Sequence, residues 1–173
     1  NFSRRQVTGL FTGLAGASLL PTGAFAQSKY LDIRRGSNFQ PIPIAVTNFA
    51  GDQGPALSGI ITNNFARSVF LQPLEPRSFP EQVSNPDAPP RADAWRMINA
   101  QFVVTGRVAR APDGRMQTQF RLWDISTGQQ VSGQQYVTDP NNARRVAHIV
   151  SDAIFSRITG EKGFYDSRVV FID

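Results

Sequence analysis

The chain has 173 residues, 40% of them hydrophobic, with 18 basic and 13 acidic side chains and a formal net charge of +5. That is enough apolar material for one domain with a real core, which excludes a long disordered chain. No cysteine is present, so disulfides, thiolate chemistry and cysteine metal sites are excluded, and a single histidine leaves no basis for a zinc site or other metal cofactor.

Residues 1–26 carry Arg4 and Arg5 ahead of a weakly apolar run from Val7 to Leu20, then Pro21 and the A-x-A sequence Ala24-Phe25-Ala26. This pattern predicts a cleavable export leader, cut between Ala26 and Gln27. Its apolar run is shorter and richer in glycine than the roughly 20 residues that span a bilayer. Ser3-Arg4-Arg5 before a core of low hydrophobicity resembles a twin-arginine leader, although Val7 and Thr8 match that pattern loosely; a Sec leader is the alternative. Cleavage also removes two positive charges. The pI of about 10.4 suits nucleic acid or an anionic membrane surface. No basic stretch is interleaved with stacking aromatics, however, so a nucleic-acid-binding module remains an alternative only if the leader is retained.

Residues 27–40 alternate briefly at Tyr30, Leu31 and Ile33 and then reach Gly36-Ser37-Asn38. The alternation is too short to hold a core position, so the segment is expected to be flexible and either to dangle or to pair. Apolar side chains directly after a cleavage site suit strand addition to a partner. Arg34 and Arg35 either steer an acidic partner or are simply solvated.

From Ile42 to Phe49 a mostly β-branched run predicts a buried strand. Gly54-Pro55 then opens a helix with Leu57, Ile60, Ile61, Phe65 and Ser68 on one face. A short strand in VFLQPLEP ends at prolines, and residues 76–90 form a Pro-rich loop. A short helix from Ala92 to Ile98 turns Trp95 and Ile98 inward. A second strong strand covers Gln101 to Arg110, and Pro112-Asp113-Gly114 turns it into a half-buried strand. There Met116, Thr118, Phe120 and Leu122 face the core, while Gln117, Gln119, Arg121 and Trp123 lie on the polar face. Trp123 is either an interface residue or an isolated exposed aromatic. Ser126-Thr127-Gly128 leads into a third strand, QQVSGQQYVT. Gly106 and Gly133, inside strands, predict bulges or added twist. Asp139 as N-cap and Pro140 at the first position start the last helix, Val146, Val150, Ile154 and Ile158 form its stripe, and Gly160 ends it. The order β-α-β-α-β-β-β-α predicts an α/β (α+β) two-layer sandwich, a mixed sheet with an antiparallel meander backed by helices.

His148, Ser151 and Asp152 on that last helix invite the reading of a secreted hydrolase. His148 lies about 200° from the Val146 row, which predicts a solvated face shared with Arg144 and Asp152. A serine in mid-helix also lacks free N–H donors for an oxyanion, because the helical ladder already uses them. No catalytic residue is therefore expected, and the hydrolase stays as the alternative that turnover assays would reveal.

The same stretch, HIVSDAIFSRITGEKGFYDSRVVF, with its H-x-x-S-D-x-x-F-x-x-x-T-G-x-x-G spacing before a strand, resembles the end of the N-terminal domain of the TolB family. PIAVTNF resembles that domain's first strand, LSGIITNNFARSVFLQPLEP its first helix and next strand, AWRMINAQFVVTGRV its second helix and central strand, and DGRMQTQFRLWDISTGQQV its hairpin. The resemblance implies an N-terminal domain over 41–167, with 168–173 entering the first blade of a β-propeller that lies beyond this chain. It further implies a non-enzymatic periplasmic scaffold of the Tol-Pal system, supporting envelope integrity and cell division without a cofactor or a membrane span. The segment Lys29, Tyr30, Leu31, Asp32, Ile33, Arg34, Arg35 and Gly36 would meet the C-terminal domain of TolA. The propeller would bind Pal.

Overall fold

A computed structural model describes residues 40–166, and these build a five-stranded sheet with three helices. The strands are β1 (Ile42–Val46), β2 (Leu71–Pro73), β3 (Phe102–Arg110), β4 (Met116–Asp124) and β5 (Gln129–Thr138). The helices are α1 (Gly54–Ala66), α2 (Ala92–Met97) and α3 (Ala143–Thr159). Sheet order is β2-β1-β3-β4-β5, parallel across the first three strands and antiparallel from β3 onward. Element order and the mixed sheet agree with the sequence.

Local chemistry accounts for the elements. β1 reads Ile-Pro-Ile-Ala-Val and buries all but Pro43, as suits a strand flanked by parallel neighbours. Pro55 stands in the first turn of α1, where a missing N–H costs nothing. The Asp139 carboxylate accepts the Asn141 N–H at 2.9 Å and starts a 3₁₀ turn, Pro140–Asn142, that leads into α3. Gly160 ends α3 at φ 76°, a left-handed conformation that suits glycine.

α1 and α3 cover one sheet face. Phe49, Leu57, Phe65, Phe120, Ile154 and their neighbours form the main core there. The opposite face carries a second, smaller core of Ala45, Trp95, Ala100, Val103, Trp123 and Ile125, closed by α2, by Leu74 just after β2, and by Phe79 and Val83 of the Pro-rich segment. Trp123 is therefore not on an open polar face. It is 6% exposed, and its indole N–H donates to Thr105 Oγ1 at 3.0 Å.

Gly106 is not a bulge either, since the β3–β4 register runs through it unbroken. A Cβ there would lie 2.5 Å from the Phe49 ring, so glycine is required by packing. The irregularity falls at Leu122/Trp123, opposite Gln130 and Ser132.

Candidate functional site

The sequence-predicted partner segment Lys29–Gly36 lies outside the described residues, as do the cleavage site Ala26–Gln27, the arginines Arg4 and Arg5, and residues 168–173. The chain enters the described fold at Gln40, directly before β1. That end of β1 is also where β3 begins and β4 ends, as the pairings Ile44↔Phe102 and Phe102↔Asp124 establish.

His148, Ser151 and Asp152 are described, and each is committed to a structural bond. Ser151, fully buried, donates its hydroxyl to the Ala147 carbonyl at 2.8 Å and accepts from the Asn64 amide of α1 at 2.8 Å. The other Asn64 N–H meets His148 Nδ1 at 3.0 Å, which requires that nitrogen to act as acceptor. His148 thus faces α1, not Ser151, and the solvated face expected for it is corrected. The buried arc of α3 also includes Ala147, Ser151, Phe155 and Thr159. At about 100° per residue, its centre is displaced from Val146 toward α1, which brings His148 to the seam.

Asp152 faces the segment that leaves α3. Its two carboxylate oxygens accept the N–H groups of Tyr165 at 2.7 Å and Asp166 at 3.0 Å. Gly163 packs so tightly beneath it that a Cβ would lie 2.3 Å from the carboxylate, and the Gly163 N–H reaches Ser156 Oγ at 3.1 Å. Thr159 Oγ1 accepts the Glu161 N–H at 3.1 Å, Arg145 pairs with Asp166 at 3.3 Å, and Phe164 and Tyr165 close over Phe155. The spaced motif therefore holds α3 to α1 and fixes how the chain leaves α3. It supplies no nucleophile with a base.

A second electrostatic group lies across the sheet. Asp87, in the Pro-rich segment, accepts from Arg121 Nε at 2.8 Å and also pairs with Arg107. The hydrogen bond from Arg121, outweighing partial desolvation and helped by the charge of both guanidiniums, holds its carboxyl below the usual carboxylate range. Burial pushes Glu81 up, but bonds from the Arg91 N–H, the Trp95 indole and the Arg91 guanidinium prevail and hold it low. Among the described residues no three acids or histidines converge as a metal site, and no helix is long and apolar enough to cross a membrane.

Sequence reasoning missed Asn64 and Asp87. Asn64 stands on the apolar face of α1 beside Phe65, and a polar residue inside such a stripe was the available signal. Asp87 left none.

Residues 29–131 match the profile of the TolB amino-terminal domain. TolB from Acinetobacter baumannii has a similar fold, with a TM-score of 0.60 and 24% identity over 73% of this chain. This chain spans only 30% of that one. Weaker likenesses are PelC from Paraburkholderia phytofirmans, TM-score 0.44 and 19% identity over 70% of this chain and 90% of that one, and the LpoB C-terminal domain from Salmonella enterica, TM-score 0.46 and 10% identity over 57% and 82%.

Proposed function

The chain belongs to the family of TolB amino-terminal domains, and from that premise we propose that it is a protein-docking module of the periplasmic Tol-Pal envelope system rather than an enzyme. The carrying observation is that the family match begins at Lys29 and so includes the segment Lys29–Gly36 ahead of β1. In this reading Tyr30, Leu31 and Ile33 add as a strand to an exposed sheet edge of the TolA C-terminal domain. Backbone bonds supply affinity there, and alternate side chains supply selectivity. Pal is met by a propeller that follows residues 168–173, and the leader 1–26 delivers the protein to the periplasm.

Support also comes from the fate of the hydrolase candidates. Ser151 Oγ has its donor and acceptor roles filled by Ala147 and Asn64, and Asp152 is occupied by two backbone amides. Titrating isotope-labelled chain with the TolA C-terminal domain tests the proposal. The reading predicts amide shifts concentrated at residues 29–36. Shifts confined to the helices or the sheet would contradict it.

A further inference from the structure

Hydrogen-bond parity fixes which way the backbone of β5 points. The Ala111 N–H donates to the Arg115 carbonyl at 2.8 Å and the Ile125 N–H to the Gln101 carbonyl at 2.9 Å, so odd-numbered residues of β4 bond to β3. Its even-numbered residues Met116, Thr118, Phe120 and Leu122 therefore bond to β5, where they stand opposite Thr138, Tyr136, Gln134 and Ser132. That leaves the N–H and C=O groups of Gly133, Gln135 and Val137 directed away from the sheet. Val131, at the irregularity, agrees: its carbonyl is turned to α3 and accepts from Arg157 Nε at 2.8 Å.

No described residue bonds to the outward groups of Gly133, Gln135 and Val137. The two edges of the sheet differ in this respect. β2 has three residues and ends in Pro73, whereas β5 runs for ten residues, Gln129–Thr138, with neither a charge nor a proline. Short length, proline and charge are the usual means by which an edge avoids pairing, and β5 has none of them.

We propose that β5 pairs antiparallel with β5 of a second copy of this chain, across a two-fold axis at Gln135, so that two five-stranded sheets become one. This register sets Gln135 opposite itself and Gly133 opposite Val137 on either side of the axis, and every outward group of the three residues finds a partner. Val137, 42% exposed, is covered against a residue with no side chain of its own. Charge selects a second copy over an unrelated strand. The chain is still extended at Asp139, so the same register brings Asp139 of the second copy opposite Val131, whose carbonyl Arg157 holds. Arg157 and Asp139 are both exposed, and neither makes an ion pair among the described residues. The Asp139 oxygen that bonds the Asn141 N–H leaves the other for a guanidinium, and the two-fold makes that pair at both ends of the joined strands. This contact uses no part of Lys29–Gly36 and goes beyond the TolA reading.

Sedimentation of the full chain tests this. A shift from monomer to dimer is expected as concentration rises from about 10 μM to about 1 mM. Gln135→Pro removes an outward N–H without touching the bonds to β4, so it should abolish the dimer while the thermal midpoint is kept. Arg157→Glu should weaken the dimer at least about 10-fold, and Arg157→Glu with Asp139→Lys should recover it. Because the chain has no cysteine, Gln135→Cys places a single thiol at the axis, where facing Cα atoms about 5.5 Å apart suit a disulfide. With oxidised glutathione it should form a linked dimer at least about 10-fold faster than Met97→Cys, exposed on α2, and this arm stands even if the proline variant does not fold. A chain that stays monomeric, a dimer that survives in folded Gln135→Pro, or equal linking of the two thiols would overturn the proposal. So would loss of the dimer on deleting residues 27–36, which would place the contact in that segment.

Discussion

Asn64 on α1 donates to Ser151 on α3 at 2.8 Å, inside the seam between the two helices that cover the main core. Its second N–H goes to His148 at the edge of the same seam. The bond joins residues 87 apart in sequence, so it records how the helices dock rather than any local preference.

Asn64→Ala should therefore destabilise the domain by about 1–3 kcal/mol, because it strips a buried hydroxyl and an imidazole of one donor. His148→Ala, at the partly exposed edge, should cost about 0.5–1.5 kcal/mol. Urea denaturation measures both. Ser151→Ala should lower stability while ester and peptide turnover stays at background in wild type and variant alike; turnover lost in the variant would restore the hydrolase.

Gly163→Ala should loosen the exit from α3, because the added methyl would lie 2.3 Å from the Asp152 carboxylate. Asp152→Ala should release the Tyr165 and Asp166 amides. Hydrogen exchange at those two positions should speed up by at least about 10-fold relative to the core strands. Unchanged exchange would mean that packing of Phe164 and Tyr165 holds the segment alone.

Asp87 gives a pH dependence with a definite sign. Its folded-state pKa is depressed by Arg121 and Arg107, so its contribution is present above the ordinary carboxylate pKa and is lost as pH falls through the lowered value. Asp87→Asn should narrow the stability gap between neutral and acidic solution. Salt should weaken the effect, since Arg107 and Arg121 are partly solvated. Thermal unfolding of both proteins across pH, at low and high salt, reads this directly.

Core truncations should separate the two faces of the sheet. Phe120→Ala and Ile154→Ala, both fully buried in the main core, should cost about 2–5 kcal/mol. Trp123→Ala should cost about 3–5 kcal/mol, as befits a buried side chain whose indole N–H is bonded to Thr105. A loss below about 0.5 kcal/mol at Trp123 would restore the exposed position that alternation alone suggested.

Periodicity made most of the fold legible. Met116, Thr118, Phe120 and Leu122 alternate because β4 has one face on the main core, and Val146, Val150, Ile154 and Ile158 recur because α3 lies across it. Trp123 escaped this logic. The cover over it comes from residues 74–98, much of which has no repeating pattern, so no spacing announces a second core. The Val146 row alone puts His148 on the solvent side, because that row is one edge of a buried arc that also spans Ser151 and Phe155. Asp87 lies 34 residues from Arg121, and its pairing exists only after the Pro-rich segment folds over the sheet. The partner segment is expected for what it lacks, a core to enter, and it lies outside the described residues.

The central claim is that docking to the TolA C-terminal domain resides in a segment the fold does not need. Calorimetry of the chain with residues 27–36 deleted, titrated with that TolA domain, tests it most directly. The account predicts that binding heat disappears while the thermal unfolding midpoint stays within about 2 °C, since the main core of the described residues is built from β1 onward. Leu31→Asp or Ile33→Asp should do most of the same damage. Binding that persists with the fold intact would contradict the claim, and a collapse of the midpoint would show that Lys29–Gly36 belongs to the core instead.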